Sequence, residues 1–71
     1  MHIYKQLGYI YKSQTKYLKA LKCFKKVLYI SWFLDDQSNE LSAYEGIALN
    51  YFYLGNPQKA LHYAERANRG K

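Results

Sequence analysis

The feature that most constrains this chain is an internal repeat with a period of 40 residues. The tripeptide Lys-Ala-Leu at residues 19–21 recurs at residues 59–61, and Tyr4 recurs as Tyr44. The match extends to residues of similar size, because Leu7 is replaced by Ile47 at the same offset. A chain of 71 residues holds one full period of 40 and most of a second. The repeat therefore predicts a fold made of two copies of one structural unit.

The matched positions follow the spacing of an α-helix. Residues separated by 3, 4 and 7 positions lie on one face of a helix. Each unit contains two groups of residues with this spacing. In the first unit, the first group is Tyr4, Leu7, Gly8 and Tyr11, and the second group is Tyr17, Ala20, Leu21, Phe24, Val27 and Leu28. Each unit is therefore predicted to contain two helices that pack through these faces. Small residues such as Gly8 and Ala20 fall where the helix axes approach each other.

Polar breaks and helix-capping residues divide the chain into four predicted helices. Gly55-Asn56-Pro57 ends one helix and begins the next, with Asn56 as the N-cap and Pro57 at the first helical position. Either Asp36 or Ser38 caps the third helix, and Gly70 suits a C-terminal stop. The predicted helices lie near residues 2–13, 16–34, 38–54 and 57–69, and the predicted units span residues 1–36 and 37–71.

These residues resemble the tetratricopeptide repeat, a helix-turn-helix unit of 34 residues. The positions that carry the resemblance are Tyr4, Leu7-Gly8, Tyr11, Tyr17, Ala20, Phe24 and Val27 in the first unit, and Tyr44, Ile47-Ala48, Tyr51, Pro57, Ala60, Ala64 and Ala67 in the second. The period of 40 is similar to that of a longer variant of the family. The six extra residues are expected to lengthen the second and third helices.

The resemblance implies an all-α fold of two helix-turn-helix repeats, four antiparallel helices that form a fragment of a right-handed α-solenoid. It also implies a non-catalytic scaffold that binds a peptide or helix of a partner protein in a concave groove. The second unit departs from the family because Ala64 replaces the large residue that matches Phe24. Its last helix is therefore expected to pack thinly or to receive a following helix, and self-association through the open ends of the repeats is a further expectation.

The family's groove is lined by the first helix of each unit, which identifies the candidate binding residues. The stripe beside the packing face contains His2 and Ser42, together with the predicted partner-binding residues Lys5, Tyr9, Lys12, Glu45, Leu49, Phe52 and Tyr53. Phe52 and Tyr53 are alternatives for one position of the stripe. Lysine and tyrosine side chains can pair with carboxylates while they cover apolar groups.

The distribution of charge leaves a second function open. The net charge is +6, and seven lysines but no acidic residue lie within residues 1–34. Lys19, Lys22, Lys25 and Lys26 are predicted on the outer face of the second helix. Such a face suits nucleic acid or acidic protein tails. The alternatives are a solvated face, or acidic residues of a neighbouring segment that face these lysines.

Catalytic, metal-binding and membrane functions have little support in the sequence. His2 and His62 lack metal-ligand spacing, and Cys23 is the single cysteine, which fits an ordinary helix residue. No stretch approaches the ~20 apolar residues needed to span a membrane. We therefore expect no enzyme activity, cofactor, metal or membrane partner, and a cytoplasmic protein.

Overall fold

The computed structural model describes residues 2–69, which form four α-helices. They are α1 (His2–Ser13), α2 (Tyr17–Leu34), α3 (Gln37–Tyr53) and α4 (Pro57–Arg69). Each helix packs against the one that precedes it in the chain, and α3 rests mainly on α2 with a small contact to α1. The prediction of an all-α fold with four helices is confirmed. The predicted stop at Gly70 lies outside the described residues, and the division into units 1–36 and 37–71 stays a prediction.

The two central helices are the longest. α2 has 18 residues and α3 has 17, whereas α1 has 12 and α4 has 13. The extra length lies where the longer period predicted it. α2 begins one residue later than predicted, because the backbone of Lys16 is not helical, with φ of −93° and ψ of 67°.

All three turns between helices have the same backbone geometry. In each turn one residue adopts positive φ, and the next amide N–H donates a hydrogen bond to a carbonyl five residues earlier, as at many helix C-termini. The residues with positive φ are Thr15, Asp35 and Gly55, with φ of 60°, 53° and 82°. The bonds run from Lys16, Asp36 and Asn56 to Tyr11, Ser31 and Tyr51 at 2.8, 2.8 and 2.9 Å. Glycine suits this conformation, whereas threonine is strained in it.

Two of the turns also cap the helix that follows. The side chain of Asn56 accepts a hydrogen bond from the amide N–H of Lys59 at 3.2 Å, which confirms the predicted N-cap of α4. At the start of α3, Asp36 rather than Ser38 is the cap. Its carboxylate accepts bonds from the amide N–H and the side-chain Nδ2 of Asn39, at 3.2 and 2.6 Å. Both caps satisfy amide groups that have no partner within their helix.

The Asp36 cap is expected to make the free energy of unfolding depend on pH. The side-chain hydrogen bond from Asn39, followed by the bond from its backbone amide, lowers the pKa of the Asp36 carboxyl below its usual value. A lowered pKa in the folded state stabilises the fold at pH values above the unfolded-state pKa, and this stabilisation is lost as the pH falls through the folded-state pKa. We expect Asp36→Ala to lower the midpoint of urea unfolding at neutral pH, and the difference from the natural chain to shrink at about pH 3. A difference that stays constant over this range would contradict the role of the ionised carboxylate.

The core is centred on Phe24, whose side chain is fully buried between α1 and α3. A Cβ atom added to Gly8 of α1 would lie 2.8 Å from Cε2 of this ring, and one added to Gly46 of α3 would lie 2.6 Å from Cδ1. Both distances are too short for a real carbon contact, so the ring occupies the space that a side chain would need. The other core residues are Leu21, Val27, Leu28, Ala43, Tyr44, Ile47, Tyr51 and Ala67.

Candidate functional site

The helix α3 covers one face of the hairpin formed by α1 and α2. Gly46 lies against the ring of Phe24, as described above. Near the end of α3, the Tyr53 ring stacks on the Tyr17 ring, with centroids 4.9 Å apart and planes inclined by 17°. Near its start, Nζ of Lys5 donates a hydrogen bond to Oδ1 of Asn39 at 3.2 Å. These contacts join the two hairpins along the length of α3.

The second hairpin has an open cleft on its corresponding face. This cleft, which we call the α3–α4 cleft, has a volume of about 560 Å³. Its α3 wall is formed by Glu45, Ala48, Leu49 and Phe52. Its α4 wall is formed by Pro57, Ala60, Leu61, Ala64, Ala67 and Asn68. Most of these side chains are apolar, and Phe52 and Leu61 are 59% and 62% exposed.

The internal repeat shows what the cleft corresponds to in the first hairpin. Forty residues before the α4 wall lie Tyr17, Ala20, Leu21, Phe24, Val27 and Leu28. All except Tyr17 are at most 6% exposed, and α3 rests on this side of α2. The α3–α4 cleft is thus the uncovered counterpart of a surface that a helix covers elsewhere in the same molecule.

The structure separates the predicted binding residues into groups. Glu45, Leu49 and Phe52 lie together in the α3–α4 cleft. Lys5 and Tyr53 instead contact neighbouring helices at the joint between the hairpins. The sequence left Phe52 and Tyr53 as alternatives for one position of the stripe, and the two side chains have different surroundings.

The remaining predicted residues lie on α1. The Tyr9 ring meets the Phe24 ring edge-on, with centroids 5.4 Å apart, and is still 51% exposed. Lys12 is half-buried, as is Ser42 on α3. The side chain of His2 lies outside the described residues. A binding role for each of these residues stays a prediction.

The predicted set of binding residues contains none from α4, although the sequence predicts that this helix packs thinly or receives a following helix. Ala60 is half-buried and lines the cleft. The available signal was the replacement of Phe24 by Ala64 one period later, because the smaller side chain leaves space open.

Three lysines of α2 lie over tyrosine rings of the neighbouring helices. Nζ of Lys19 lies 5.8 Å from the centroid of Tyr11, and Nζ of Lys26 lies 5.1 Å from that of Tyr4. Such cation–π contacts contribute about 0.5–1 kcal/mol at exposed sites. These lysines therefore face aromatic rings of the same molecule, and binding of nucleic acid by the basic face stays a prediction that none of these contacts favours.

The third of these lysines, Lys25, shares the Tyr51 ring with Lys59 of α4. Nζ of Lys25 lies 5.6 Å from the Tyr51 centroid, and Nζ of Lys59 lies 5.3 Å from it. The pKa of Lys25 is raised, mainly by a hydrogen bond to Tyr51, whereas burial acts to lower this pKa. The charged form of Lys25 is therefore favoured, and it links α2 to α3.

The cysteine has the surroundings of a packing residue. Cys23 is half-buried, and burial raises the pKa of its thiol, with an opposing effect from the charge of Lys26. The neutral thiol is therefore favoured over the reactive thiolate. Within residues 2–69, no group of three or more histidine, cysteine or acidic side chains is placed to hold a metal ion.

The described part of the chain has no helix that is both long enough and apolar enough to cross a membrane.

The stacked hairpins, their shared turn geometry and the helix that covers the first of them define a helical repeat protein. A family model of the tetratricopeptide repeat matches residues 1–69, and the chain belongs to that family. Proteins of this family generally mediate protein–protein interactions and are typically non-catalytic scaffolds. No curated protein and no solved structure matches the chain.

Proposed function

We propose that the chain is a protein-interaction module whose α3–α4 cleft binds a helical segment of a partner protein. The observation that carries the proposal is the covered face of the first hairpin, where α3 occupies the surface equivalent to the cleft. The proposal keeps Glu45, Leu49 and Phe52 from the predicted set and adds Leu61 and Ala64. Tyr9 and Lys12 remain predicted contacts on α1.

The shape of the cleft indicates which kind of helix it suits. In the first hairpin the bulk of Phe24 requires glycine at position 46 of the covering helix. The cleft has Ala64 at the position equivalent to Phe24. A bound helix therefore has room for a side chain larger than that of glycine where it faces Ala64. The preferred ligand is therefore an amphipathic helix with apolar residues three and four positions apart and a medium-sized side chain at its centre.

Leu61 is the residue whose change tests the proposal most sharply. It lies in the α4 wall and is 62% exposed, so a substitution there leaves the core intact. Complete burial of a leucine side chain contributes about 1.5–3 kcal/mol, and a glutamate in its place would carry a charge into an apolar contact. We expect Leu61→Glu to weaken binding of a helical ligand at least ~10-fold.

The experiment uses amphipathic helical peptides selected from a display library for binding to the natural chain. Their affinities for Leu61→Glu and for Leu18→Glu are then measured by fluorescence anisotropy. Leu18 is a matched control, because it is 64% exposed and lies outside the cleft. The proposal predicts a loss of affinity for Leu61→Glu alone. Selected peptides that bind both variants equally, or that respond to charge reversal at Lys22 and Lys26, would contradict it.

A further inference from the structure

We propose that the helix bound in the α3–α4 cleft is α1 of a second copy of this chain, so that the molecules assemble head to tail. This inference rests on the proposed function and names the partner of the same site. In this arrangement α1 of one copy lies on the second hairpin of another copy in the way that α3 lies on the first hairpin within one molecule.

The first observation is an uncovered face of α1. The face of α3 that is buried towards the first hairpin includes Ala43, Gly46 and Asn50. Forty residues earlier lie Ile3, Gln6 and Ile10, and all three side chains are exposed. Ile3 is 69% exposed and Ile10 is 49% exposed. The chain therefore presents a helix face with apolar residues seven positions apart that is equivalent to the face with which α3 docks.

The second observation is that residue sizes are complementary. Within the molecule, a large Phe24 meets a Gly46 without a side chain. The same arrangement between molecules brings the small Ala64 opposite Gln6, which has a longer side chain. Each of the two contacts thus combines one large and one small residue. Within the molecule the large residue belongs to the hairpin, whereas between molecules it belongs to the docking helix. Exchange of this kind conserves the packed volume, which proteins tolerate better than a change in total volume.

The third observation is a difference in polarity. Asn50 is fully buried, and its Nδ2 donates a hydrogen bond to the carbonyl of Gly46 at 2.7 Å. Its Oδ1 has no hydrogen-bond partner among the described residues, an arrangement that costs free energy. Ile10 holds the equivalent position on α1 and has no polar side-chain atom. It suits the apolar walls of the α3–α4 cleft without this cost.

The proposed contact joins two different faces of the molecule. When α1 of one copy fills the cleft of another, the pair still has one free cleft and one free α1. Contacts of this type continue until they close into a ring, or they form an open filament. The assembly is therefore expected to grow with protein concentration and to pass beyond the dimer.

The test is a mixing experiment with two variants, each of which has lost a different face. Ile10→Glu removes the α1 face but keeps the cleft, and Leu61→Glu removes the cleft but keeps α1. Sedimentation velocity should show assemblies of the natural chain that grow with concentration. Each variant alone should associate at least ~10-fold more weakly. The equimolar mixture should form a dimer of one copy of each variant that does not grow further.

Two controls make the result specific. Leu18→Glu should assemble like the natural chain, because the Leu18 side chain lies outside both faces. Its exposed fraction of 64% is close to the 62% of Leu61. Ala64→Phe should block assembly, because it places a large ring opposite Gln6. Addition of Gln6→Gly to the Ala64→Phe chain should restore assembly, because it recreates the pair formed by Phe24 and Gly46. Circular dichroism of every variant establishes that it remains folded.

The outcomes separate the inference from the proposed function. A natural chain that stays monomeric, or a mixture that does not associate, would overturn assembly through α1. If selected peptides still require Leu61 in that case, the cleft binds a helix of another protein and the proposed function stands. If neither self-association nor peptide binding responds to Leu61→Glu, both proposals are wrong.

Discussion

Replacement of Phe24 with alanine is expected to leave the chain largely unfolded at room temperature. The side chain is fully buried, and it contacts both α1 and α3. A substitution of this kind typically costs about 3–5 kcal/mol. A single core in a chain of this size seldom provides more than ~3–5 kcal/mol in total. Loss of this one ring therefore removes a large share of the stability.

Circular dichroism during urea unfolding measures the effect of Phe24→Ala. The matched control is Phe33→Ala, because Phe33 lies on the same helix and is 89% exposed. The control is expected to change the free energy of unfolding by less than about 0.5 kcal/mol. A cooperative transition of Phe24→Ala with a midpoint close to that of the control would contradict the central position of this ring.

Gly46→Ala is the second substitution with a large expected effect, although alanine is the better helix former. In an exposed helix the change from glycine to alanine gains about 0.8–1 kcal/mol. Here the new Cβ would lie 2.6 Å from Cδ1 and 2.7 Å from Cγ of Phe24. Overpacking in a dense core typically costs about 1–3 kcal/mol. We expect the steric cost to exceed the gain, so that Gly46→Ala lowers the midpoint of urea unfolding.

Gly8→Ala provides the comparison for Gly46→Ala. Its Cβ would meet the outer part of the same ring, at 2.8 Å from Cε2 and 2.9 Å from Cζ. Atoms at the end of a side chain can move further than Cγ at its root, so Gly8→Ala should be the less damaging change. The Phe24→Leu background should reduce the cost of Gly46→Ala, because the clash is with the ring. Equal effects of the two alanines would contradict this ranking, and no coupling to residue 24 would contradict the clash.

The elements of the fold follow closely from local sequence. The spacing of Tyr4, Leu7 and Gly8 identifies a helix face because the α-helix fixes which residues share a side. The Asn56 cap could be predicted because its side chain bonds to an amide only three residues away. The positive φ of Thr15 was not predicted, because threonine seldom adopts it, although Thr15 lies one period before Gly55, which has the same conformation.

The candidate site was only partly predictable because it depends on how one helix lies on another. The repeat pattern identified Leu49 and Phe52 as surface residues of α3, and the structure brings them into one cleft with Leu61. The same pattern gave Lys5 and Tyr53 similar roles, yet each contacts a residue on a neighbouring helix. Such contacts depend on how far one helix is shifted along its neighbour. The residue spacing within one helix does not determine that shift.

The most direct test of the open cleft is an NMR titration of the chain labelled at its alanine methyl groups with a selected helical peptide. The six alanines are Ala20, Ala43, Ala48, Ala60, Ala64 and Ala67. Ala60 and Ala64 line the cleft, whereas Ala20 and Ala43 are fully buried in the molecule. We expect the signals of Ala60 and Ala64 to shift with added peptide while those of Ala20 and Ala43 stay in place. Unchanged signals of Ala60 and Ala64 in the presence of bound peptide would contradict binding in the cleft.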